Sequence, residues 1–306
     1  MSEKARVSMP PASVFELHPT VTSHGKLHEA TVNGSLTRWW EYGDSTAETL
    51  VLIHGFRGDH HGLELLAQGL LDYRVLIPDL PGFGRSEPMP AAEHTVNTYA
   101  AWLAEFLRLT GQNPIHLVGH SFGSIVSSYL TATRPHLVQR LTLINPICEP
   151  ALEGNQKLMS RLAEMYYAAG ALLPAPLGFS LLKSHIITRI SSEFMMKNSH
   201  AELRNFINGQ HAAYFGAFSS RAAVLQAYRA SISSTAAEFT PTIDLPIQMI
   251  VAQEDDLGSM EGQRAMFAAL RRGRLDVIPE VGHLIHYETP LRAAALIADF
   301  HQEPIR

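Results

Sequence analysis

The chain has 306 residues, of which 46% are hydrophobic and 17% charged, a balance that can bury a large core and excludes a disordered polypeptide. A formal net charge of -5 without any Lys/Arg cluster argues against nucleic acid as a partner, and nothing points to an acidic polymer substrate. The single cysteine, Cys148, rules out an intramolecular disulfide and reads as a small buried hydrophobe.

Residues 1–24 begin Met1-Ser2-Glu3-Lys4-Ala5-Arg6 and continue with prolines and mixed residues instead of an apolar core of signal-peptide length. They are read as an extended or poorly ordered arm, and the cytoplasm is the expected compartment. No stretch reaches the length of a membrane span, so no membrane partner is expected. Strand-like runs follow at about 28–33, 36–42, 49–54, 73–78, 114–119, 139–144, 247–252 and 274–279. From the third onward they alternate with helices, which predicts an α/β fold: a mostly parallel eight-stranded sheet with helices on both faces. The alternation breaks at about 148–242, where Ala, Leu, Met and Phe recur at helical spacings. That stretch is read as an inserted helical cap, divided into several short helices by Pro174-Ala175-Pro176-Leu177-Gly178. The expected organisation is an arm (1–24), a core (25–147 and 243–306) and a cap (148–242).

The chemistry lies at the ends of the strands. After the third strand come His54, Asp59, His60 and His61, which invite a metal reading, but a metal-hydrolase H-x-H-x-D-H pattern would need histidines where Gly55 and Arg57 stand, so no metal is assigned. Gly82-Phe83-Gly84 is a tight turn and no dinucleotide site, since the third glycine of that fingerprint falls on Glu87. Gly119-His120-Ser121-Phe122-Gly123 follows the apolar run Ile115-His116-Leu117-Val118 and precedes a helix-forming run. A serine on such a strand–turn–helix projects its hydroxyl from the end of a sheet, which makes Ser121 a candidate nucleophile. It needs a base and a group to orient the base. His283, on a loop after the strand-like Leu275 to Pro279, is the natural base, and Gln253-Glu254-Asp255-Asp256, directly after a buried strand, supplies the acid. His286, three residues on, is read as a helix-start or supporting group.

On these residues the chain resembles the α/β-hydrolase fold superfamily over about residues 28–303, as a serine esterase-like member with a helical cap. The order serine, acid, histidine is that family's order. His54-Gly55-Phe56 resembles its oxyanion-hole loop, and Asp79 to Ser86 its D-x-x-G-x-G-x-S turn. The resemblance implies Ser121 as nucleophile, His283 as general base and acid, Asp255 as orienting acid, and the backbone N–H groups of Phe56 and Phe122 as oxyanion hole. Ala252 stands at the glycine place of the family's G-x-x-D, and that register selects Asp255; a shift of one residue selects Asp256. In some members the acid follows an earlier strand, which here ends in Asn145, a residue that cannot supply the charge. The implied activity is hydrolysis of a small, mainly apolar carboxylic ester or related acyl substrate through an acyl-serine, without cofactor. A carbon–carbon bond hydrolase, a cofactor-free lyase or perhydrolase, and a non-catalytic ligand-binding homologue are the alternatives. A small molecule is the expected partner, and oligomeric state stays open.

Overall fold

The computed structural model describes residues 5–7, 21, 24–111, 114–150 and 157–305. All eight expected strands are present: β2 (Lys26–Val32), β3 (Ser35–Tyr42), β4 (Thr49–Ile53), β5 (Arg74–Pro78), β6 (Ile115–His120), β7 (Val138–Ile144), β8 (Ile247–Ala252) and β9 (Gly273–Ile278). A further strand, β1 (Ala5–Val7), lies within the expected N-terminal arm and pairs parallel with β9; the rest of that arm is largely outside the described residues. Three residues at a sheet edge carry no readable alternation, which is why the sequence pattern misses them.

Among the described residues nine strands are ordered β1-β9-β8-β7-β6-β4-β5-β3-β2, with only the β2–β3 and β3–β5 pairs antiparallel. Strands β4, β6 and β8 are buried along their whole length, as expected for parallel strands covered on both faces. One face is packed by α2 (Val96–Leu109) and α3 (Phe122–Thr133), the other by α1 (His61–Gln68) and the C-terminal helix Pro290–Gln302. Helix α2 starts where Thr95 and Thr98 cap each other's N–H groups, and Trp102 pins it to the sheet by donating Nε1–H to Thr37 Oγ1 at 2.9 Å.

Two features of this topology locate a site. The chain passes from β4 to β5 on one side and then to β6 on the other, so a crevice opens at the carboxyl ends of β4 and β6. Because β4, β6, β7, β8 and β9 are parallel, the loops leaving them emerge at the same end. The connection between β7 and β8 also leaves from that end. It contains α4 (Lys157–Leu172), α5 (Ala175–Leu182), α6 (His185–Met195), α7 (Ala201–Tyr214) and α8 (Arg221–Ser233). The break between α4 and α5 falls at Pro174, as the prolines predict. Among the described residues no helix is long and apolar enough to cross a membrane.

Candidate active site

Ser121 sits between the end of β6 and the first turn of α3 with φ 53°, a left-handed conformation that costs a non-glycine residue about 1–3 kcal/mol. The glycines around it are required by close approach. A Cβ on Gly119 would come within 2.5 Å of Gly123 O, and one on Gly123 within 2.8 Å of His54 O. The helix can therefore start hard against the ends of β4 and β6 only if both positions are bare. A Cβ on Gly55 would lie 3.1 Å from Ser121 Cβ, so the Gly55–Phe56 backbone runs directly past the serine. Phe122, the first residue of α3, belongs to the helix turn whose N–H groups have no intrahelical acceptor.

His54 shapes the loop beside the serine. Its Nδ1–H donates to Gly55 O at 2.8 Å and its Nε2 accepts the Leu80 N–H at 2.9 Å, so both ring nitrogens are used and the ring is neutral; burial holds its pKa below the usual imidazole range. The buried carboxylate of Asp79 accepts the N–H groups of His60 (2.8 Å) and Arg85 (2.7 Å) and the His60 ring (3.0 Å). Burial alone would raise its pKa, but these donors, His60 foremost, hold it below the usual carboxylate range. Gly84, at φ 53°, gives this carboxylate its room.

The structure brings the three expected side chains together. His283 Nε2 lies 2.9 Å from Ser121 Oγ, and its Nδ1 lies 3.0 Å from each oxygen of Asp255. His283 and Asp255 are buried, with 3% and 1% of their side chains exposed, which leaves the pair little access to competing water. Asp255 Oδ1 also accepts the Leu257 N–H at 2.8 Å. Asp256 points elsewhere and pairs with Lys197 from the segment between α6 and α7. Of the two registers the sequence leaves open, the structure therefore puts Asp255 on the imidazole.

Three residues that hold the histidine loop escape sequence reasoning. Asn145, buried at φ 42°, donates Nδ2–H to His283 O at 2.9 Å and to Gly282 O at 3.2 Å, while its Oδ1 accepts the Ala252 N–H at 2.7 Å. It ties the end of β8 to the histidine loop; its place after β7 is the one signal the sequence holds for it. His120 donates Nε2–H to His283 O at 3.3 Å, and burial, followed by the nearby His283, pushes its pKa down to about 3. Glu288 accepts N–H groups from Gly282 (2.8 Å), Lys197 (2.9 Å) and Asn198 (2.7 Å). His286 is buried against His120, ring centroids 4.3 Å apart.

Asp59, His60 and His61 do lie close enough to share a cation, their donor atoms falling within 4.8 Å of one another. In this structure those groups bond to protein: His60 Nδ1 to Asp79, and Asp59 Oδ1 to the His61 N–H at 3.0 Å. Cys148 is buried, and burial pushes its thiol up to about 12, in keeping with a packing role.

The alpha/beta hydrolase fold family matches residues 48–290. The chain belongs to that family. Its curated relatives include lipase LipV of Mycobacterium tuberculosis, 37% identical over 38% of this chain and 42% of the lipase. Another is the (E)-2-((N-methylformamido)methylene)succinate hydrolase of Acinetobacter baylyi, 28% identical over 42% of this chain and 48% of that enzyme. The matches thus span less than half the length of these relatives. Among solved structures, a thermophilic esterase from Thermogutta terrifontis superimposes with a TM-score of 0.69 over 90% of this chain and 98% of its own, at 22% identity, a likeness of fold.

Proposed function

We propose that this family member is a serine hydrolase that cleaves a small, mainly apolar carboxylic ester or related acyl substrate. The observation that carries the reading is the continuous line from Ser121 Oγ through the His283 ring to Asp255, with contacts of 2.9 and 3.0 Å. In this reading Ser121 Oγ attacks the acyl carbon while His283 Nε2 takes its proton, and Asp255 accepts the Nδ1–H, fixing the tautomer and stabilising the imidazolium. The carbonyl electron pair moves to oxygen, where the N–H groups of Phe56 and Phe122 meet it; one such donor is worth about 100- to 1000-fold in kcat. Collapse expels the alcohol with the proton from His283 and leaves an acyl-serine, which water then cleaves by the same steps.

The helices between β7 and β8 act as the cap. Support for an apolar substrate comes from the aromatic groups where cap and core meet: the Phe56 ring lies 5.7 Å from Tyr167, 6.0 Å from Tyr228 and 5.9 Å from Phe83. The names of the lipase and esterase relatives agree with ester cleavage. A fluorophosphonate tests the reading: Ser121 Oγ should displace fluoride and carry the phosphonyl group, found by peptide mass, and Ser121→Ala should abolish turnover of p-nitrophenyl esters. Rates across graded acyl lengths should favour short to medium apolar groups over charged ones. Label on another residue, or an active Ser121→Ala, refutes the assignment.

A further inference from the structure

Arg57 immediately follows Phe56 and is the least expected residue near the site. It is 3% exposed, yet it pairs with no carboxylate among the described residues. Isolated buried charges cost several kcal/mol, so the position must be compensated in another way. The compensation comes from backbone. Nη2–H donates to Leu182 O at 2.9 Å and Nε–H to Phe215 O at 3.2 Å, with Tyr167 Oη at 3.4 Å from Nη1. Leu182 is the last residue of α5 and Phe215 the C-cap of α7. Each helix C-terminus carries roughly half a negative charge, so two of them together balance about one guanidinium. The Phe215 ring, 4.7 Å from Cζ, adds its π face.

The backbone of Arg57 is equally unusual. Gly55 to Gly58 form a turn closed by the Gly58 N–H to Gly55 O bond at 3.0 Å, and Arg57, its third residue, has φ 62°, where glycine is the usual choice. A side chain is thus retained at a position where it strains the backbone, and that side chain reaches three elements of the inserted helices.

We propose that Arg57 is a positioning residue: its guanidinium, clamped between the C-termini of α5 and α7, locks the turn that presents the Phe56 N–H and so makes oxyanion stabilisation depend on the docked cap. The proposal rests on the reading of Phe56 as an oxyanion donor. Loss of the clamp lets the turn drift, and a displacement of about 1 Å at a catalytic group costs on the order of 100-fold.

The test uses Arg57→Met, Arg57→Gly and a trifluoromethyl ketone, whose carbon accepts Ser121 Oγ, whose oxygen becomes an oxyanion, and whose addition sends the serine proton to His283. For Arg57→Met we expect kcat on a p-nitrophenyl ester to fall about 10- to 100-fold, KM to stay within about threefold, and ketone affinity to fall in step with kcat. The pH dependence should keep its wild-type shape, since the triad itself is untouched. Arg57→Gly removes both the clamp and the strain, and n-propylguanidinium should restore its turnover at least tenfold, an effect no purely structural loss would show. Wild-type kcat and ketone affinity in Arg57→Met, or a folded Arg57→Gly that the guanidinium does not rescue, overturns the proposal. Should Arg57→Met fail to fold, the Arg57→Gly rescue decides. Failure of the underlying reading looks different: the wild-type enzyme itself would then not bind the ketone, or Ser121→Ala would stay active.

Discussion

Replacing Asp255 by Asn should cripple the enzyme while leaving its fold in place, and the geometry says how. Asp255 Oδ1 is committed to the Leu257 N–H at 2.8 Å, and both carboxylate oxygens face His283 Nδ1 at 3.0 Å. Asparagine has one acceptor oxygen. The Leu257 N–H can be met only by that oxygen, so the amide NH2 must take the Oδ2 place and point a donor at Nδ1. The ring then exposes its lone pair at Nδ1 and carries its proton on Nε2, where the Ser121 proton has to go. The analogous change in a serine protease costs about 10⁴ in kcat, equivalent to about 5.4 kcal/mol at 1.36 kcal/mol per decade. Asp256→Asn removes a pair with Lys197 whose side chains are 19% and 27% exposed, and such pairs contribute up to about 1 kcal/mol, so kcat should stay within about fivefold. Steady-state kcat on a p-nitrophenyl ester, with circular dichroism as the folding control, separates the two. A crippled Asp256→Asn beside an active Asp255→Asn would refute the argument.

Burial holds His54, His116 and His286 below the usual imidazole range, and pushes His120 to about 3 and His211 to about 4. The fold therefore refuses protons that the unfolded chain takes up below about pH 6.5, so stability present above that pH is lost on acidification, at about 1.4 kcal/mol per pH unit for each histidine. Glu288, raised by its burial, opposes this by one proton at most; urea unfolding between pH 6 and 5 should give a net slope of at least about three protons, and a flat profile would contradict it. Gly123→Ala sets a methyl 2.8 Å from His54 O and closer still to Ile53 O, both backbone, and should cost about 3 kcal/mol or more; an unchanged Tm would contradict the close approach of α3 to the end of β4. Glu288→Ala strands the N–H groups of Gly282, Lys197 and Asn198, at about 1–3 kcal/mol each, and should lower both the unfolding free energy and kcat.

The sheet was legible because buried parallel strands are continuous apolar runs: each of the eight expected strands lies within two residues of its observed place. Ser121 and His283 were legible because each sits in a local motif at the end of such a run. Asp255 was only half legible, since three acids stand together and Ala252 blurs the register. What decides between the aspartates is the partner each finds, His283 for Asp255 and Lys197 for Asp256, and neither is near in sequence. Asn145, Glu288 and Arg57 were not legible as site residues. Asn145 and Arg57 meet partners 138 and 125 positions away, and Glu288 joins Gly282, 6 positions off, to Lys197, 91 positions off, so no local pattern encodes these meetings. The residue type can even mislead: an asparagine after β7 reads as a missing acid.

The supports of His283 share a property that follows from what the ring must do. In the proposed cycle the imidazole gains and loses a proton twice, so a group bonded directly to it would favour one charge state and slow half of the cycle. Asp255 is the exception that chemistry requires, because it stabilises the imidazolium and sets the tautomer. The remaining supports grip the loop through backbone: Asn145 and His120 at the His283 carbonyl, Glu288 at the Gly282 N–H. They fix where the ring is without bonding to it. His120 adds a further condition, since its ring centroid lies only 5.3 Å from that of His283. A cation there would oppose formation of the imidazolium; with its pKa at about 3, His120 stays neutral and supplies a donor without a charge. The loop is thus held by neutral donors at the His283 carbonyl and by one carboxylate turned to the Gly282 N–H, and among these supports only Asp255 bonds to the ring.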